Sequence, residues 1–245
     1  MSQDIEWLLK EKFGGEKSDA FFADCKRLAL GEPLGYLIGH VPFLGCTIHL
    51  DSKPLIPRTE TEFWTEKAIE EIKRAAPSAP RVLDLCAGSG CIGVAIAKAI
   101  PEATIHFSEI DASHLPTIEK NLAVNNIDKN RTCIAHSNLF EQFSGTYDFI
   151  LSNPPYIDMD LNRTDDSVLE NEPYIALSGG LAGLEVIQTI IEEAPKHLAS
   201  GGQLWIEHEP EQSEAIRNLA REHKFICTTH TDQYGVERYS VLVLN

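Results

Sequence analysis

The chain has 245 residues, of which 43% are hydrophobic and 24% charged, a composition typical of a globular protein with a sizeable core. Its formal net charge of −16 argues against a protein that grips nucleic acid through a basic surface and favours a basic protein partner. No apolar run approaches the ~20 residues of a membrane span, no signal peptide is recognisable, and the six cysteines form no Cys-x-x-Cys pair. We therefore expect a cytoplasmic protein with no membrane segment and no metal site.

Two short helices and a hairpin are predicted ahead of the main domain. Helical patterns cover residues 3–12 and 18–30. The Gly- and Pro-rich stretch that follows has apolar residues at 43–50, which predict a small β-hairpin. We therefore divide the chain into a helical segment, a hairpin linker and a main domain, with the ranges 1–40, 41–58 and 59–245.

Strands and helices alternate through the main domain. Strands are predicted at 81–86, 104–109, 131–136, 147–152, 202–208, 224–230 and 238–244. Helices are predicted at 60–75, 91–100, 112–125, 181–199 and 211–223. This alternation is typical of a parallel sheet covered on both faces, and the short turn between the last two strands requires them to be antiparallel. The pattern predicts an α/β fold: a doubly wound, Rossmann-like sheet of seven strands with the last strand antiparallel, as in methyltransferases.

A Gly-rich turn follows the first strand of this sheet. Gly88, Gly90 and Gly93 satisfy Gly-x-Gly-x-x-Gly, in which the absence of side chains lets a ligand approach the backbone closely. Glu109 ends the second strand, 19 residues after Gly90, where a carboxylate accepts the ribose hydroxyls of an adenosine. The turn alone fits NAD, FAD and S-adenosylmethionine (SAM), and Glu109 fits any cofactor that contains adenosine.

Asp84 favours SAM among these cofactors. It lies in the strand before the turn, where we expect it to order the loop and to favour the positively charged methionine end of SAM. The pyrophosphate of a dinucleotide would be repelled by this carboxylate. At the end of the third strand, Asn138 is a candidate for the adenine edge, and Leu139 or Phe140 for packing on the ring. A polar turn without a ligand explains Asn138 equally well.

The segment Asn153-Pro154-Pro155-Tyr156 follows an apolar strand and so lies at the carboxyl edge of the sheet, where open α/β folds bind ligands. The Asn153 side-chain oxygen and the Pro154 carbonyl can each accept one N–H of a planar NH₂ group, and Tyr156 offers a flat face. Two aligned acceptors orient a delocalised nitrogen and stabilise the positive charge that develops on it during methyl transfer. The sequence therefore predicts methylation of an amide or amine nitrogen, with Asn153, Pro154 and Tyr156 as catalytic residues.

Four blocks together resemble the release factor glutamine methyltransferases, the HemK/PrmC family. They are Gly-Glu-Pro-Leu-Gly-Tyr-Leu-Ile-Gly at 31–39, Leu-Ile-Pro-Arg-Thr-Glu-Thr-Glu at 55–62, Asn-Pro-Pro-Tyr at 153–156, and the matches between Glu172 and Leu184. Asn-Pro-Pro-Tyr alone is shared with DNA and RNA amino-methyltransferases. In combination with the other three blocks it is specific.

The resemblance implies methyl transfer from SAM to the side-chain nitrogen (N5) of the glutamine in the Gly-Gly-Gln motif of peptide chain release factors. It implies a protein substrate recognised by residues 1–40 and no direct contact with nucleic acid, and we expect a monomer. The residues that we expect to bind SAM are Asp84, Gly88, Gly90, Glu109, Asn138, Leu139 and Asn153. The residues that the resemblance assigns to the substrate are Asn153, Pro154, Pro155, Tyr156, Arg58 and Glu62, the last two shaping or closing the site.

The chain departs from the family pattern in three places. Its amino-terminal helical segment is shorter than usual, Asn138 stands where the family usually has Asp, and the segment 208–212 lacks the usual Gly after the strand. Two alternatives share the catalytic motif: a glutamine methyltransferase of ribosomal protein L3, and an adenine or guanine amino-methyltransferase acting on nucleic acid, which the net charge disfavours. An NAD-binding oxidoreductase would leave Asn-Pro-Pro-Tyr without a role.

Overall fold

The computed structural model describes residues 2–75, 78–161 and 165–245. Helices α1 (Gln3–Glu11) and α2 (Asp19–Ala29) confirm the two predicted amino-terminal helices. A third helix, α3 (Leu34–Ile38), lies in the Gly- and Pro-rich stretch before the hairpin, where no helix is predicted. It follows Pro33 and ends at Gly39, whose φ of 91° is left-handed. Leu8, Phe21 and Leu37 join α1, α2 and α3 in a small core.

The predicted hairpin is present as β1 (His40–Phe43) and β2 (Cys46–His49). Both turn residues, Leu44 and Gly45, have positive φ angles of 46° and 73°, as a type I′ hairpin turn requires. The buried side chains of the hairpin pack in the same core cluster as helix α4 (Thr59–Ala75). The hairpin is therefore attached to the main domain by apolar packing.

The main domain is built on one sheet of seven strands in the order β5-β4-β3-β6-β7-β9-β8. These strands are β3 (Arg81–Leu85), β4 (Thr104–Glu109), β5 (Thr132–His136), β6 (Tyr147–Ser152), β7 (Leu198–Glu207), β8 (Phe225–Thr231) and β9 (Glu237–Leu244). Among the described strands, β9 runs antiparallel to both of its neighbours, β7 and β8, while the other pairings are parallel, which confirms the predicted fold class. Two separate apolar clusters pack against the sheet.

Helices cover both faces of this sheet. Helices α4, α5 (Cys91–Ala99) and α6 (Leu115–Val124) contribute to one apolar cluster, and α9 (Glu185–Glu193) and α10 (Ser213–Glu222) to the other. Two short helices, α7 (Asp166–Asn171) and α8 (Tyr174–Leu177), lie between β6 and α9 along the chain. The prediction of one helix over 181–199 is wrong in length, because α9 ends at Glu193 and β7 already begins at Leu198. A 3-10 turn containing Pro195 separates them. The sequence analysis did not predict the short helices α7 and α8. Across the described ranges, no helix combines the length and apolar character needed to cross a membrane.

Two asparagines, Asn121 on α6 and Asn125 at the cap of its carboxyl end, hold the hairpin against the sheet domain. Asn125 accepts the Thr47 N–H at 3.0 Å and donates to the Thr47 carbonyl at 2.8 Å. Asn121 makes the same pair of bonds to His49, at 2.7 and 3.1 Å, and also donates to the Ser89 carbonyl at 2.9 Å. One turn apart on the helix, the two side chains bond the backbone of β2 as a neighbouring strand would.

We expect Asn121→Ala to lower the free energy of unfolding by about 2–3 kcal/mol, because it leaves buried backbone groups of His49 and Ser89 without partners. The neighbouring Lys120→Ala is the control, since Lys120 and Asp51 are both substantially exposed and such pairs contribute about 0–1 kcal/mol. Urea denaturation of both variants measures the difference. Equal losses of stability would show that Asn121 does not anchor the hairpin.

Candidate active site

Two adjacent cavities open at the carboxyl edge of the parallel strands. The glycine-loop cavity, lined by Gly88, Glu109 and Leu139 among others, has a volume of about 620 Å³. The Tyr156 cavity, lined by Arg58, Pro154, Tyr156 and others, has a volume of about 530 Å³. Leu55, Asn153 and Ala176 line both cavities. Asn153 therefore stands where a ligand in one cavity meets a ligand in the other.

The turn after β3 has the backbone geometry that its glycines predict. Gly88 and Gly90 have positive φ angles of 54° and 75°. A Cβ on Gly93 would lie 2.3 Å from the Phe107 ring, so the third glycine allows α5 to pack closely on the sheet. At Gly88, the nearest atom to an added Cβ is 3.9 Å away on Pro54, which leaves this backbone open to a ligand.

Asp84 orders the glycine turn from inside the protein core. Its Oδ2 accepts the Gly93 N–H at 2.9 Å, and its side chain is fully buried. Burial raises the pKa of Asp84 well above its ordinary value, and the bond from Gly93 opposes the rise. Within the described residues, its Oδ1 has no hydrogen-bond partner. The loop-ordering role predicted for Asp84 agrees with this geometry, whereas its attraction for a cationic ligand remains a prediction.

Glu109 joins the end of β4 to the glycine turn. Its Oε2 accepts the Gly88 N–H at 2.6 Å and its Oε1 accepts the Asp111 N–H at 2.8 Å. Each oxygen of a carboxylate can accept more than one hydrogen bond, so both oxygens of Glu109 can also accept hydrogen bonds from the hydroxyls of a ribose. Glu109 also lines the glycine-loop cavity. The position fits an adenosine, as the sequence predicts.

The residues just after β5 line one side of the glycine-loop cavity. Asn138 is exposed and donates to Glu141 Oε1 at 3.2 Å. Leu139 lines the cavity, and its carbonyl accepts the Ser108 hydroxyl at 2.5 Å. Phe140 is buried elsewhere and stacks on His197, with ring centroids 4.4 Å apart. Of the two residues predicted to pack on an adenine, only Leu139 is placed to do so.

The Asn-Pro-Pro-Tyr segment lies between the two cavities. Asn153 donates through Nδ2 to Thr61 Oγ1 at 3.1 Å, which leaves Oδ1 as its atom for a ligand. Pro154 and Tyr156 line the Tyr156 cavity, while Pro155 lines the glycine-loop cavity. The carbonyl of Tyr156 accepts a hydrogen bond from Gln212 at 2.8 Å. Gln212, in the segment that departs from the family pattern, therefore supports the Asn-Pro-Pro-Tyr turn.

A buried carboxylate that the sequence analysis missed stands behind this segment. Glu207, at the end of β7, is 1% exposed and accepts hydrogen bonds from Thr61 Oγ1, Trp64 Nε1 and Tyr156 Oη at 2.6, 2.5 and 2.9 Å. Burial raises the pKa of Glu207, and the three bonds and Arg238 oppose the rise. The pKa of Tyr156 is also raised, by burial and by Glu207. A charged residue ending an apolar strand at the ligand-binding edge is the signal that could have identified Glu207.

Arg58 and Glu62 have different surroundings. Arg58 lines the Tyr156 cavity and forms an ion pair with the buried Glu172 at 2.5 Å. Glu172 also accepts the Ile56 N–H at 3.1 Å, so this pair ties the chain before α4 to the chain between α7 and α8. Glu62 accepts the Leu44 N–H at 2.6 Å and lines neither cavity. Arg58 shapes the site directly, whereas Glu62 shapes the hairpin turn.

Comparison with known proteins identifies the family. The Methyltransferase small domain matches residues 65–170. The release factor glutamine methyltransferase of Geobacter sulfurreducens is 33% identical over 96% of this chain and 87% of its own length. The enzyme of the same name from Bordetella pertussis is 36% identical over 88% of this chain and 78% of its own length. The chain belongs to the release factor glutamine methyltransferase family. It is an enzyme, and the methyl donor of the family is SAM.

Solved structures show the same fold. A methyltransferase from Pyrococcus furiosus has a TM-score of 0.61 and 16% identity, and the match covers 90% of this chain and 97% of that chain. A 16S rRNA methyltransferase of T. Thermophilus in complex with AdoMet and guanosine has a TM-score of 0.58 and 19% identity, covering 84% of this chain and 49% of that chain. These likenesses confirm the α/β methyltransferase architecture.

We expect Glu109→Ala to weaken SAM binding by roughly 1–3 kcal/mol, because the variant loses a charged acceptor for the ribose hydroxyls and frees the Gly88 N–H. Asp111→Ala is the matched control, since Asp111 contacts Glu109 through its backbone N–H, which the substitution keeps. Calorimetric titration of the wild type and both variants with SAM measures their affinities. Titration with NAD serves as the negative control. Unchanged SAM affinity in a folded Glu109→Ala variant, or tight NAD binding by the wild type, would contradict the assignment.

Proposed function

We propose that this chain transfers the methyl group of SAM to the side-chain nitrogen N5 of the glutamine in the Gly-Gly-Gln motif of peptide chain release factors. The observation that carries the proposal is the position of Asn153, between two cavities, with its amide nitrogen engaged by Thr61 and its oxygen available. The names of the relatives support release factors as the substrate class.

The residues divide between the two cavities according to the chemistry of each ligand. Those proposed to hold SAM are Asp84, Gly88, Gly90, Glu109, Asn138, Leu139 and Asn153, with Asp84 and Gly90 acting through the shape of the turn. SAM supplies a methyl group that its positively charged sulfur makes electrophilic. The glutamine side chain enters the Tyr156 cavity, where Arg58 and Pro154 contribute walls.

The carboxamide nitrogen is a poor nucleophile because its lone pair is delocalised into the carbonyl. Asn153 Oδ1 and the Pro154 carbonyl oxygen each accept one of its N–H bonds and direct the lone pair towards the methyl group. Both acceptors bind more strongly as positive charge develops on the nitrogen, so they lower the barrier more than they stabilise the bound substrate. Tyr156 packs against the planar carboxamide and holds it in position.

The charge of the cavity rim supports a protein substrate over nucleic acid. Asp158, Asp165, Glu209 and Glu211 line the Tyr156 cavity, in which Arg58 is the only Lys or Arg among the described lining residues. Carboxylates in the cavity lining repel the phosphates of DNA and RNA and complement a basic protein surface. This charge disfavours the nucleobase alternative.

The amino-terminal segment, residues 1–40, is proposed to contact the release factor outside its glutamine loop. Trp7 on α1 and Phe22 on α2 are 48% and 52% exposed, although both are large aromatic side chains. Aromatic residues at such positions are typical of protein interfaces. We propose that one copy of the enzyme acts on one release factor.

Mass spectrometry tests the substrate assignment directly. The enzyme and SAM are incubated in three separate reactions, one with a release factor, one with ribosomal protein L3 and one with ribosomal RNA. We expect one methyl group on the release factor, located by peptide fragmentation on the glutamine of Gly-Gly-Gln. Methylation of L3 or RNA, with none on the release factor, would overturn the proposal.

We expect Asn153→Ala to lower kcat by about 10²–10³ while SAM affinity stays nearly unchanged, because it removes one preorganised acceptor at the reacting nitrogen. Asn138→Ala is the control: the same type of change in the glycine-loop cavity should raise the KM for SAM and spare kcat. Steady-state kinetics with a release factor separates the two patterns. Near wild-type kcat in a folded Asn153→Ala variant would end the acceptor mechanism.

We expect the double variant Trp7→Ser and Phe22→Ser to raise the KM for the release factor roughly tenfold, with kcat unchanged, since truncation of interface aromatics typically costs more than 1 kcal/mol. Ile226→Ser on β8 removes an equally exposed apolar side chain at the sheet edge and should leave KM unchanged. The same KM for the double variant, the control and the wild type would remove residues 1–40 from substrate recognition.

A further inference from the structure

We propose that Thr61 and Glu207 are positioning residues that determine which end of the Asn153 side-chain amide faces the glutamine. The proposal rests on the proposed function, in which Asn153 Oδ1 accepts an N–H of the carboxamide. Thr61 lies on α4 and Glu207 ends β7, so both are remote in sequence from Asn153. Each is 1% exposed.

The direction of the hydrogen bonds around Glu207 follows from the chemistry of its partners. Trp64 Nε1 can only donate, and it lies 2.5 Å from Glu207 Oε2. Thr61 Oγ1 lies 2.6 Å from the same oxygen. Three donors face the two oxygens of Glu207 and favour its ionised form, which accepts hydrogen bonds and donates none. The hydroxyl hydrogen of Thr61 therefore points at Glu207.

Thr61 therefore presents lone pairs, and no hydrogen, to its other neighbour. That neighbour is the Asn153 amide, whose Nδ2 is 3.1 Å from Thr61 Oγ1. If the side-chain amide of Asn153 rotated so that Oδ1 and Nδ2 exchanged places, Oδ1 would face the lone pairs of Thr61 Oγ1. No hydrogen would then lie between the two oxygens. A buried polar group left without a partner is disfavoured, so the NH₂ end stays on Thr61 and Oδ1 stays towards the ligand.

The second carboxylate oxygen of Glu207 also accepts a hydrogen bond. Tyr156 Oη lies 2.9 Å from Oε1, so the carboxylate keeps its position independently of Thr61. The result is a chain of hydrogen bonds of fixed polarity that ends in an acceptor at the reaction site. An acceptor there selects the nitrogen end of the glutamine carboxamide, whereas a donor would select its oxygen and turn the nucleophile away.

Thr61→Val and Thr61→Ser form a matched pair of variants, because Val keeps the branched shape without the hydroxyl and Ser keeps the hydroxyl. We expect Thr61→Val to lower kcat roughly 10- to 100-fold, with SAM affinity and the KM for the release factor unchanged. Thr61→Ser should retain kcat within about threefold of the wild type, since its hydroxyl restores the bond to Asn153. Equal kcat values for the Val, Ser and wild-type enzymes would overturn the proposal.

A double-mutant cycle separates positioning from a structural role. In the Asn153→Ala background, Thr61→Val should cause no further loss of kcat, because the amide that it orients is gone. Multiplicative losses would show that Thr61 acts elsewhere and would overturn the proposal. If Thr61→Val kept the wild-type kcat while Asn153→Ala lost most of its kcat, the positioning role would be rejected and the proposed function would stand. Wild-type kcat for Asn153→Ala would instead reject the proposed function.

Glu207→Gln provides a second test that does not depend on the folding of Thr61→Val. The new carboxamide can turn its oxygen to Thr61 and Trp64 and its NH₂ group to Tyr156 Oη, which preserves the polarity of the chain. We expect kcat within about tenfold of the wild type for Glu207→Gln and a much larger loss for Glu207→Leu. A folded Glu207→Gln variant as inactive as Glu207→Leu would overturn the hydrogen-bond account.

Discussion

The site depends on one buried carboxylate, Glu207, and on the groups that donate to it. Its hydrogen-bond partners belong to α4 and to the Asn-Pro-Pro-Tyr turn after β6, so a single side chain connects three parts of the fold. Removing a carboxylate from water is unfavourable unless its oxygens are satisfied, and three donors satisfy them here. The arrangement of α4 against the sheet is thereby coupled to the orientation of Asn153.

The topology of the sheet explains why two cavities meet at this position. Adjacent parallel strands β3, β4, β5 and β6 all end at one edge. The ends of β3, β4 and β5 wall the glycine-loop cavity, and the turn after β6 separates it from the Tyr156 cavity. The short segment containing α8 contributes to both cavities, and the ion pair of Arg58 with Glu172 fixes the chain just before it. A methyl donor and an acceptor nitrogen can therefore approach each other without a large movement of the sheet.

The features that could be predicted from the sequence are those with local signatures. Glycines 88, 90 and 93, the acid at the end of β4 and Asn-Pro-Pro-Tyr each occupy a fixed place relative to a strand, so the strand pattern located them at one edge. Thr61 carries no such signature, because its role arises from a contact across 146 residues of sequence. Glu207 carries only the weaker one of a charged residue that ends an apolar strand. The helix predicted over 181–199 was wrong at both ends. Gly183, with φ of 68°, lies against the Tyr156 carbonyl before α9 begins, and a 3-10 turn containing Pro195 follows the end of α9.

The central claim is that Asn153 presents an oxygen to the substrate nitrogen. A crystal structure of the enzyme with S-adenosylhomocysteine and a release factor measures this directly. We expect the glutamine nitrogen within about 3.2 Å of both Asn153 Oδ1 and the Pro154 carbonyl, with Asn153 Nδ2 still on Thr61. A glutamine whose carboxamide oxygen faces Asn153, or whose side chain lies outside the Tyr156 cavity, would contradict the account.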